Sequence, residues 1–266
     1  MTGSESLSSL MQAVAEVARV AGAVALRHFR SPALEIRSKP NGSPVTNGDL
    51  DSEQSARDWI SARFPDDGIL GEEFGVERPE AKRRWVLDPI DGTKTFLRGV
   101  PLWGTLVAVV EGGVVLAGSA NFPALDELVC AAPGEGCWAN GERAQVSSIG
   151  RLSDALMLTT DETFSAFPAR RSQWLELERQ SGMTRSWGDC YGYLLVATGR
   201  AEAMADARLS EWDAAAFLPI VEEAGGVFSD WDGQRRIDGG SAIATNRALA
   251  QTVRAALASP SQGGAT

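Results

Sequence analysis

Four acidic groups stand where an apolar run stops or an apolar helix begins. Ile69-Leu70 leads into Gly71-Glu72-Glu73, and Trp85-Val86-Leu87 runs straight into Asp88-Pro89-Ile90-Asp91-Gly92-Thr93. Glu211-Trp212-Asp213 opens a strongly apolar stretch, and Asp49 follows Thr46 by three residues. A carboxylate at a buried strand end is costly unless it is paired or metal-bound, and several together repel one another without cations. A divalent metal is the simplest resolution. With one histidine, His28, and three scattered cysteines, the donors are hard oxygens, which select Mg2+ or Mn2+ over zinc or copper. Pro89 rigidifies the turn between the aspartates, and the Ile90 carbonyl offers a further oxygen. Gly92-Thr93 can begin a helix whose free N–H groups point at an anion. Metal ions beside such groups suit the activation of water and the stabilisation of a transferring phosphoryl group. Singly, each piece has an ordinary structural explanation: Glu-Glu as solvated surface, Trp-Asp as a helix cap, Asp-Pro-x-Asp-Gly as a turn. Their conjunction on successive elements is what points to chemistry.

The elements that position these groups follow from periodicity. Leu7, Leu10, Met11, Val14, Val17, Ala18 and Ala21 recur at three- and four-residue steps and predict an amphipathic helix ending near His28 and Phe29. Lys39-Pro40-Asn41-Gly42-Ser43-Pro44 can continue neither helix nor central strand, so it is a loop. A second helix is expected from about residue 50 to 64, with Ala56, Trp59, Ile60 and Phe64 inward, stopped by Pro65-Asp66-Asp67-Gly68. From Ile69 to Val146, short apolar runs separated by Glu111-Gly112-Gly113 and Asn140-Gly141 predict antiparallel sheet. Beyond Ser147, strands at Ala155 to Thr159, Ala203 to Ala205, Val227 to Ser229 and Ile243-Ala244 alternate with helices at Gln173 to Gln180 and at Trp212 to Ala224. The expected organisation is an α+β half over 1–146 carrying most metal ligands and an α/β half over 147–258 completing the site. A Ser/Gly/Pro-rich tail over 259–266 is expected to be disordered.

Composition narrows the partners. At 266 residues and 44% hydrophobic content, the chain can fill one core or two intimately packed halves. The 35 acidic residues exceed the 25 basic ones by ten, which argues against nucleic acid or an anionic membrane as the main partner. Cys130, Cys137 and Cys190 lack zinc-ribbon spacing. The opening is polar, without an apolar signal core, and the longest apolar runs fall short of a membrane span. A reduced, cytoplasmic, soluble protein is expected. Cys130 and Cys137 are expected as small core residues on neighbouring strand segments, in preference to a redox switch.

Gly71-Glu72-Glu73, the Asp88-to-Thr93 stretch, and Trp212-Asp213 followed by Glu222-Glu223-Ala224-Gly225-Gly226 resemble the signatures of the inositol monophosphatase family, the magnesium-dependent, lithium-sensitive phosphatases. The order matches across nearly the whole chain. The resemblance implies the layered αβαβα sandwich of the inositol monophosphatase and fructose-1,6-bisphosphatase type. It implies that Glu72, Asp88 and the Ile90 carbonyl hold a first metal, and that Asp88, Asp91 and Asp213 hold a second. Asp49 with Glu72 would help hold a third, giving two to three Mg2+ (or Mn2+) ions per site. Glu72 and Thr93, the latter paired with Asp49, would orient and deprotonate a metal-activated water for in-line attack. Gly92, Thr93 and Lys39 would bind the phosphate, Lys39 arriving on a mobile loop. A homodimer is also implied.

Three segments depart from the inositol-phosphate pattern. These are Lys94, the Gly99-Val100-Pro101-Leu102-Trp103 stretch, and Ser186-Trp187-Gly188-Asp189-Cys190-Tyr191-Gly192-Tyr193. The last resembles the Gly-Asp-x-Tyr/Trp segment of histidinol-phosphate phosphatases in the same family. The chemistry agrees in sign, because histidinol presents an ammonium and an imidazole whereas inositol is neutral. Asp189, Asp206 and Glu211, with Asp91, would surround the leaving group with acid. Trp187 or Tyr191 would stack on the imidazole, and Arg185 would support the pocket. The expected function is hydrolysis of a small-molecule phosphate ester, L-histidinol phosphate in histidine biosynthesis. Inositol-1-phosphate, fructose bisphosphate or broad sugar-phosphate activity is the alternative, and a bisphosphorylated nucleotide is disfavoured for want of a second basic cluster. A catalytically silent metal-binding regulator is the reading from another class. It would be favoured by loss of Glu72, Asp88, Asp91, Thr93 or Asp213, and all five are present.

Overall fold

A computed structural model describes residues 6–258; the tail expected over 259–266 lies outside the described residues. Helix α1 (Leu7–His28) is followed by a hairpin of β1 (Ile36–Ser38) and β2 (Pro44–Thr46), then by α2 (Asn47–Arg63). An eight-stranded sheet contains β3 (Gly68–Gly71), β4 (Gly75–Glu77), β5 (Arg83–Asp91), β6 (Gly104–Glu111), β7 (Val114–Phe122), β8 (Glu127–Ala132), β9 (Gly136–Ala139) and β10 (Glu142–Arg143). The short α3 (Thr93–Leu97) leaves the end of β5. A five-stranded sheet contains β11 (Leu156–Leu158), β12 (Met183–Arg185), β13 (Ala203–Asp206), β14 (Val227–Ser229) and β15 (Ala242–Thr245). Helices α4 (Pro168–Gln180), α5 (Asp189–Ala197), α6 (Glu211–Ala215), α7 (Phe217–Glu223) and α8 (Ala250–Leu257) are interleaved with it.

Strand alternation explains the layering. In β5, Trp85 and Leu87 point to one face and pack with Val14, Val17, Ala56 and Ile60 of α1 and α2. Val86 points to the other face and joins Tyr193, Ala215 and Phe217 from α5, α6 and α7, and Leu158, Met204 and Ala244 of the second sheet. The far face of that second sheet, through Met157, Ala203, Ala205 and Ile243, packs on Trp174 and Leu177 of α4 and Val253 and Leu257 of α8. The order is α, β, α, β, α, as expected.

Three details differ from the sequence expectations, and a fourth agrees with the preference against a redox switch. First, β3 and β5 are parallel (Ile69 opposite Trp85, Leu70 opposite Val86) within an otherwise antiparallel sheet. The chain turns outward to make the edge strand β4, then returns on the inner side of β3, which fixes that direction. The consequence is chemical: both acid-bearing strand ends emerge at one edge, and Glu72 N–H donates to Leu87 O at 3.1 Å. Second, the apolar stretch after Trp212 forms two helices. Pro219 cannot donate to the Ala215 carbonyl, so the ladder breaks there, although Ala216 keeps helical dihedrals. Third, α1 is long and apolar enough by length and composition to cross a membrane; here its apolar stripe is buried against the sheet. Fourth, Cys130 faces Trp138 while Cys137 faces Ala131, so the two thiols lie on opposite faces of the β8–β9 pair and cannot bridge.

Candidate active site

The end of β5 is built to hold charge. Asp88 is the last residue in regular register with β6, and a bulge carries the chain through Pro89 and Ile90 to Asp91. Thr105 Oγ1 on β6 donates to Pro89 O at 2.8 Å and pins that bulge. Gly92 follows at φ +87°, a left-handed conformation that a side chain would strain, and it starts α3. From the second half, Ser210 caps α6 and its backbone N–H donates to Asp213 Oδ2 at 2.7 Å, which turns that carboxylate toward β5. Carboxylate oxygens of Asp88, Asp91 and Asp213 thus lie within 4.8 Å of one another.

The electrostatics are those of an anionic cage. Burial, then the charges of Glu72, Asp91 and Asp213, pushes Asp88 well above the usual carboxylate range. Burial and then Asp213 do the same to Asp91, while burial alone leads for Asp213, raised to about 6. Asp88 Oδ1 is buried and has no hydrogen-bond partner. Three crowded carboxylates with an unpartnered buried oxygen fit a divalent cation.

Glu72, Asp88, Ile90, Asp91, Gly92 and Thr93 line one side of a cavity of about 180 Å³, and Thr160, Asp189, Asp206, Arg208 and Asp213 line the other. The structure therefore brings together five of the six expected metal ligands, all but Asp49, and three of the expected substrate residues, Asp91, Asp189 and Asp206. Asp49, at the start of α2, accepts a hydrogen bond from Thr93 Oγ1 at 3.3 Å; Thr93 Oγ1 also lies 3.1 Å from Ile90 O. Burial raises Asp49 above its ordinary pKa, against the opposing effect of hydrogen bonds from Thr46. Lys39, on the β1–β2 turn, reaches Glu72 Oε1 at 2.6 Å and Glu73 Oε1 at 2.8 Å. Those partners outweigh burial and hold the ammonium above its ordinary pKa.

The expected substrate residues divide. Asp189 adopts φ +51° at the start of α5, where its N–H donates to Thr160 Oγ1 at 2.8 Å and its Oδ2 accepts from Thr95 Oγ1 at 3.3 Å. Asp206 is buried at the end of β13, where Tyr193 Oη and Thr160 N–H donate to it at 3.0 and 2.9 Å; burial lifts it to about 7. The other four are placed elsewhere. Tyr191 is half-buried and packs edge-on against Phe122 at the border of the core, whereas Tyr193, two residues on and so on the opposite side of α5, is fully buried and reaches Asp206. Trp187 is 42% exposed. Arg185 ends an exposed edge strand and donates to Thr184 O. Glu211 is paired with Arg84 at the opposite end of β5 from Asp88.

Several participants escaped the sequence reading. Cys190 N–H donates to Asp91 Oδ1 at 3.0 Å and aims that carboxylate. Thr95, Thr160 and Tyr193 hold Asp189 and Asp206, contacts between residues far apart in sequence. Glu73 carried a legible signal, its place beside Glu72, and is raised to about 7 by burial, with Lys39 opposing and Glu72 adding.

Comparison with known proteins bears on this geometry. Residues 6–262 match the model of the inositol monophosphatase family. The chain is 42% identical over 248 residues to a histidinol-phosphatase of Chlorobaculum parvum, covering 93% of this chain and 96% of that one. It is 39% identical over 231 residues to a histidinol-phosphatase of Mycobacterium tuberculosis, covering 84% and 89%. An inositol monophosphatase from Zymomonas mobilis superposes with a TM-score of 0.84 at 32% identity, covering 96% and 99% of the two chains. With its carboxylate cage and layered fold in place, the chain belongs to the inositol monophosphatase family of metal-dependent phosphomonoesterases.

Proposed function

We propose that the chain hydrolyses L-histidinol phosphate to L-histidinol and phosphate, a step of histidine biosynthesis, with Mg2+ or Mn2+ as its cofactor and two to three ions per site. The observation that carries the substrate is the Asp189 carboxylate on the wall of the metal cavity, with Asp206 beside it. A neutral polyol gains little from two acids there, whereas an ammonium in a semi-buried pocket needs them. Relatives from three bacteria that are named histidinol-phosphatase, at 36–42% identity, support the same substrate. A relative from Mesorhizobium japonicum named inositol-1-monophosphatase, at 32%, keeps that ester as the alternative.

Glu72, Asp88, Asp91, Asp213 and the Ile90 carbonyl would hold the cations, with Asp49 as a looser partner. Bound Mg2+ neutralises phosphoryl oxygens and acidifies the attacking water. Thr93 Oγ1 hands its proton toward Asp49, so its lone pair can accept one from a water aimed at phosphorus. Backbone N–H groups at Gly92 and Thr93 would hold the phosphate oxygens, with Lys39 as the mobile cation. A homodimer in the cytoplasm completes the reading, supported by three unpaired cysteines and by Val20 and Leu26 exposed on α1.

The test compares kcat/KM for L-histidinol phosphate, inositol-1-phosphate and 4-nitrophenyl phosphate in wild type and Asp189→Ala. We expect roughly 100-fold preference for histidinol phosphate, about 2.7 kcal/mol, in the wild type. The variant should lose most of it and keep the aryl phosphate rate. Equal losses on all three esters would refute the role of Asp189.

A further inference from the structure

The Glu72–Glu73 corner is held from beneath by a charge that the reaction does not use. Glu53, in the middle of α2, has a fully buried carboxylate. Its Oε2 accepts Glu73 N–H at 2.8 Å and its Oε1 accepts Phe74 N–H at 3.1 Å. Arg57, one turn on, donates from Nε to Glu53 Oε1 at 2.9 Å and from Nη2 to Gly75 O at 2.6 Å. The whole β3–β4 turn, from Gly71 to Gly75, is thus clamped to α2.

Sequence and energetics both single this arrangement out. A three-residue hairpin closed by a left-handed glycine, here Gly75 at φ +67°, ordinarily leaves its loop N–H groups to water. Here they face a buried anion, whose desolvation is offset only by these charge-assisted bonds and the arginine. The chain has also been cleared to admit it: a Cβ on Gly71 would lie 2.0 Å from Glu53 Oε1. Asp49, Glu53 and Arg57 are spaced i, i+4, i+8 and so form one stripe on α2. At its N-terminal end Asp49 meets Thr93, and one turn later Glu53 fixes the corner that carries Glu72.

We infer that Glu53, through Arg57 and the Glu73 and Phe74 amides, is a positioning residue that sets the Glu72 carboxylate for metal. The inference rests on the metal reading proposed above. In an ordinary salt bridge the loss of Glu53 would reduce stability alone; as a positioning residue it governs how tightly the cation binds.

Mn2+ binding to the purified full-length protein is measured by electron paramagnetic resonance, alongside thermal melting of the metal-free form. The variants are Glu53→Gln, Glu53→Gln with Arg57→Gln, Gly71→Ala and, as a control, Asp88→Asn. Neutralising both members of the pair leaves no buried lone charge, and the Glu53→Gln change by itself keeps volume. We expect Mn2+ affinity to fall about tenfold in the double variant and in Gly71→Ala, with the Mg2+ needed for half-maximal activity rising in step and kcat at saturating Mg2+ held within about threefold. Unchanged Mn2+ affinity in folded double and Gly71→Ala variants, with Asp88→Asn weakened, overturns the role of Glu53. Unchanged affinity in Asp88→Asn overturns the metal reading itself. If Glu53→Gln fails to fold, the other two variants decide.

Discussion

At the residue scale the site is a set of carboxylates held where they are unstable as anions. Asp88, Asp91 and Asp213 are all raised by burial first, Asp213 to about 6. A raised acid takes up its proton more readily in the folded state, so its contribution to stability is fully present below its unfolded pKa and is lost as pH rises through the folded value. Chelated protein should therefore melt higher near pH 5.5 than near pH 8. With saturating Mg2+ the order should invert, because protons then compete with the cation for the same oxygens. Calorimetry at the two pH values, with chelator and with Mg2+, reads both signs; a chelated protein that gains stability toward pH 8 contradicts the cage. Asp88→Asn carries the same logic into one side chain. It should abolish turnover of every ester, by at least about a thousandfold, while leaving the chelated protein as stable as wild type or more so, since a repelling charge has gone. Phosphate release and melting of the one preparation check both halves of that statement.

At the scale of elements, the decisive feature is the parallel pairing of β3 with β5, which puts Glu72 beside Asp88. The carboxylates themselves were legible because each sits at a local break between apolar run and turn. What was not legible is what aims them: the Cys190 amide on Asp91, Thr160 on Asp206 and Glu53 under the β3–β4 turn all reach across tens of residues. The placing of Tyr191 on α5 was not legible for the same reason. Spacing along a helix says which residues share a face, and only packing says that Tyr191 meets Phe122 while Tyr193 meets Asp206. Layer contacts bring their own test. Gly118 on β7 lets the Ala216 carbonyl between α6 and α7 approach the sheet, and a Cβ there would lie 2.3 Å from that oxygen. Backbone cannot swing aside as a side chain can, so Gly118→Ala should cost about 1–3 kcal/mol. Gly150→Ala, whose Cβ would meet its nearest neighbour at 3.7 Å, should be neutral or slightly stabilising. Urea denaturation of the two variants measures the difference, and equal stabilities would mean that the α6–α7 junction yields freely.

At the scale of the whole molecule, the expected division near residue 147 meets a core that ignores it. Val86, Leu106 and Val129 from before that point share one buried cluster with Leu158, Met204, Ile220 and Phe228 from after it. The junction is itself tied down, Val146 N–H donating to Ala224 O at 2.9 Å. The proposed metal ligands straddle the same line, Asp88 and Asp91 on one side and Asp213 on the other. Neither half can bury its apolar face alone, so the halves should fold as one cooperative unit. Far-UV circular dichroism and tryptophan fluorescence should then trace a single coincident urea transition, since Trp85 and Trp103 report on the first half and Trp174 and Trp231 on the second. Mg2+ at about 100 times its dissociation constant should move that whole transition by about 2.7 kcal/mol, because the proposed cation site draws its ligands from both halves, so that neither could leave without releasing it. Two curves that separate, or a Mg2+ shift confined to one of them, would instead make residues 1–146 and 147–258 independent folding units that meet only at the site.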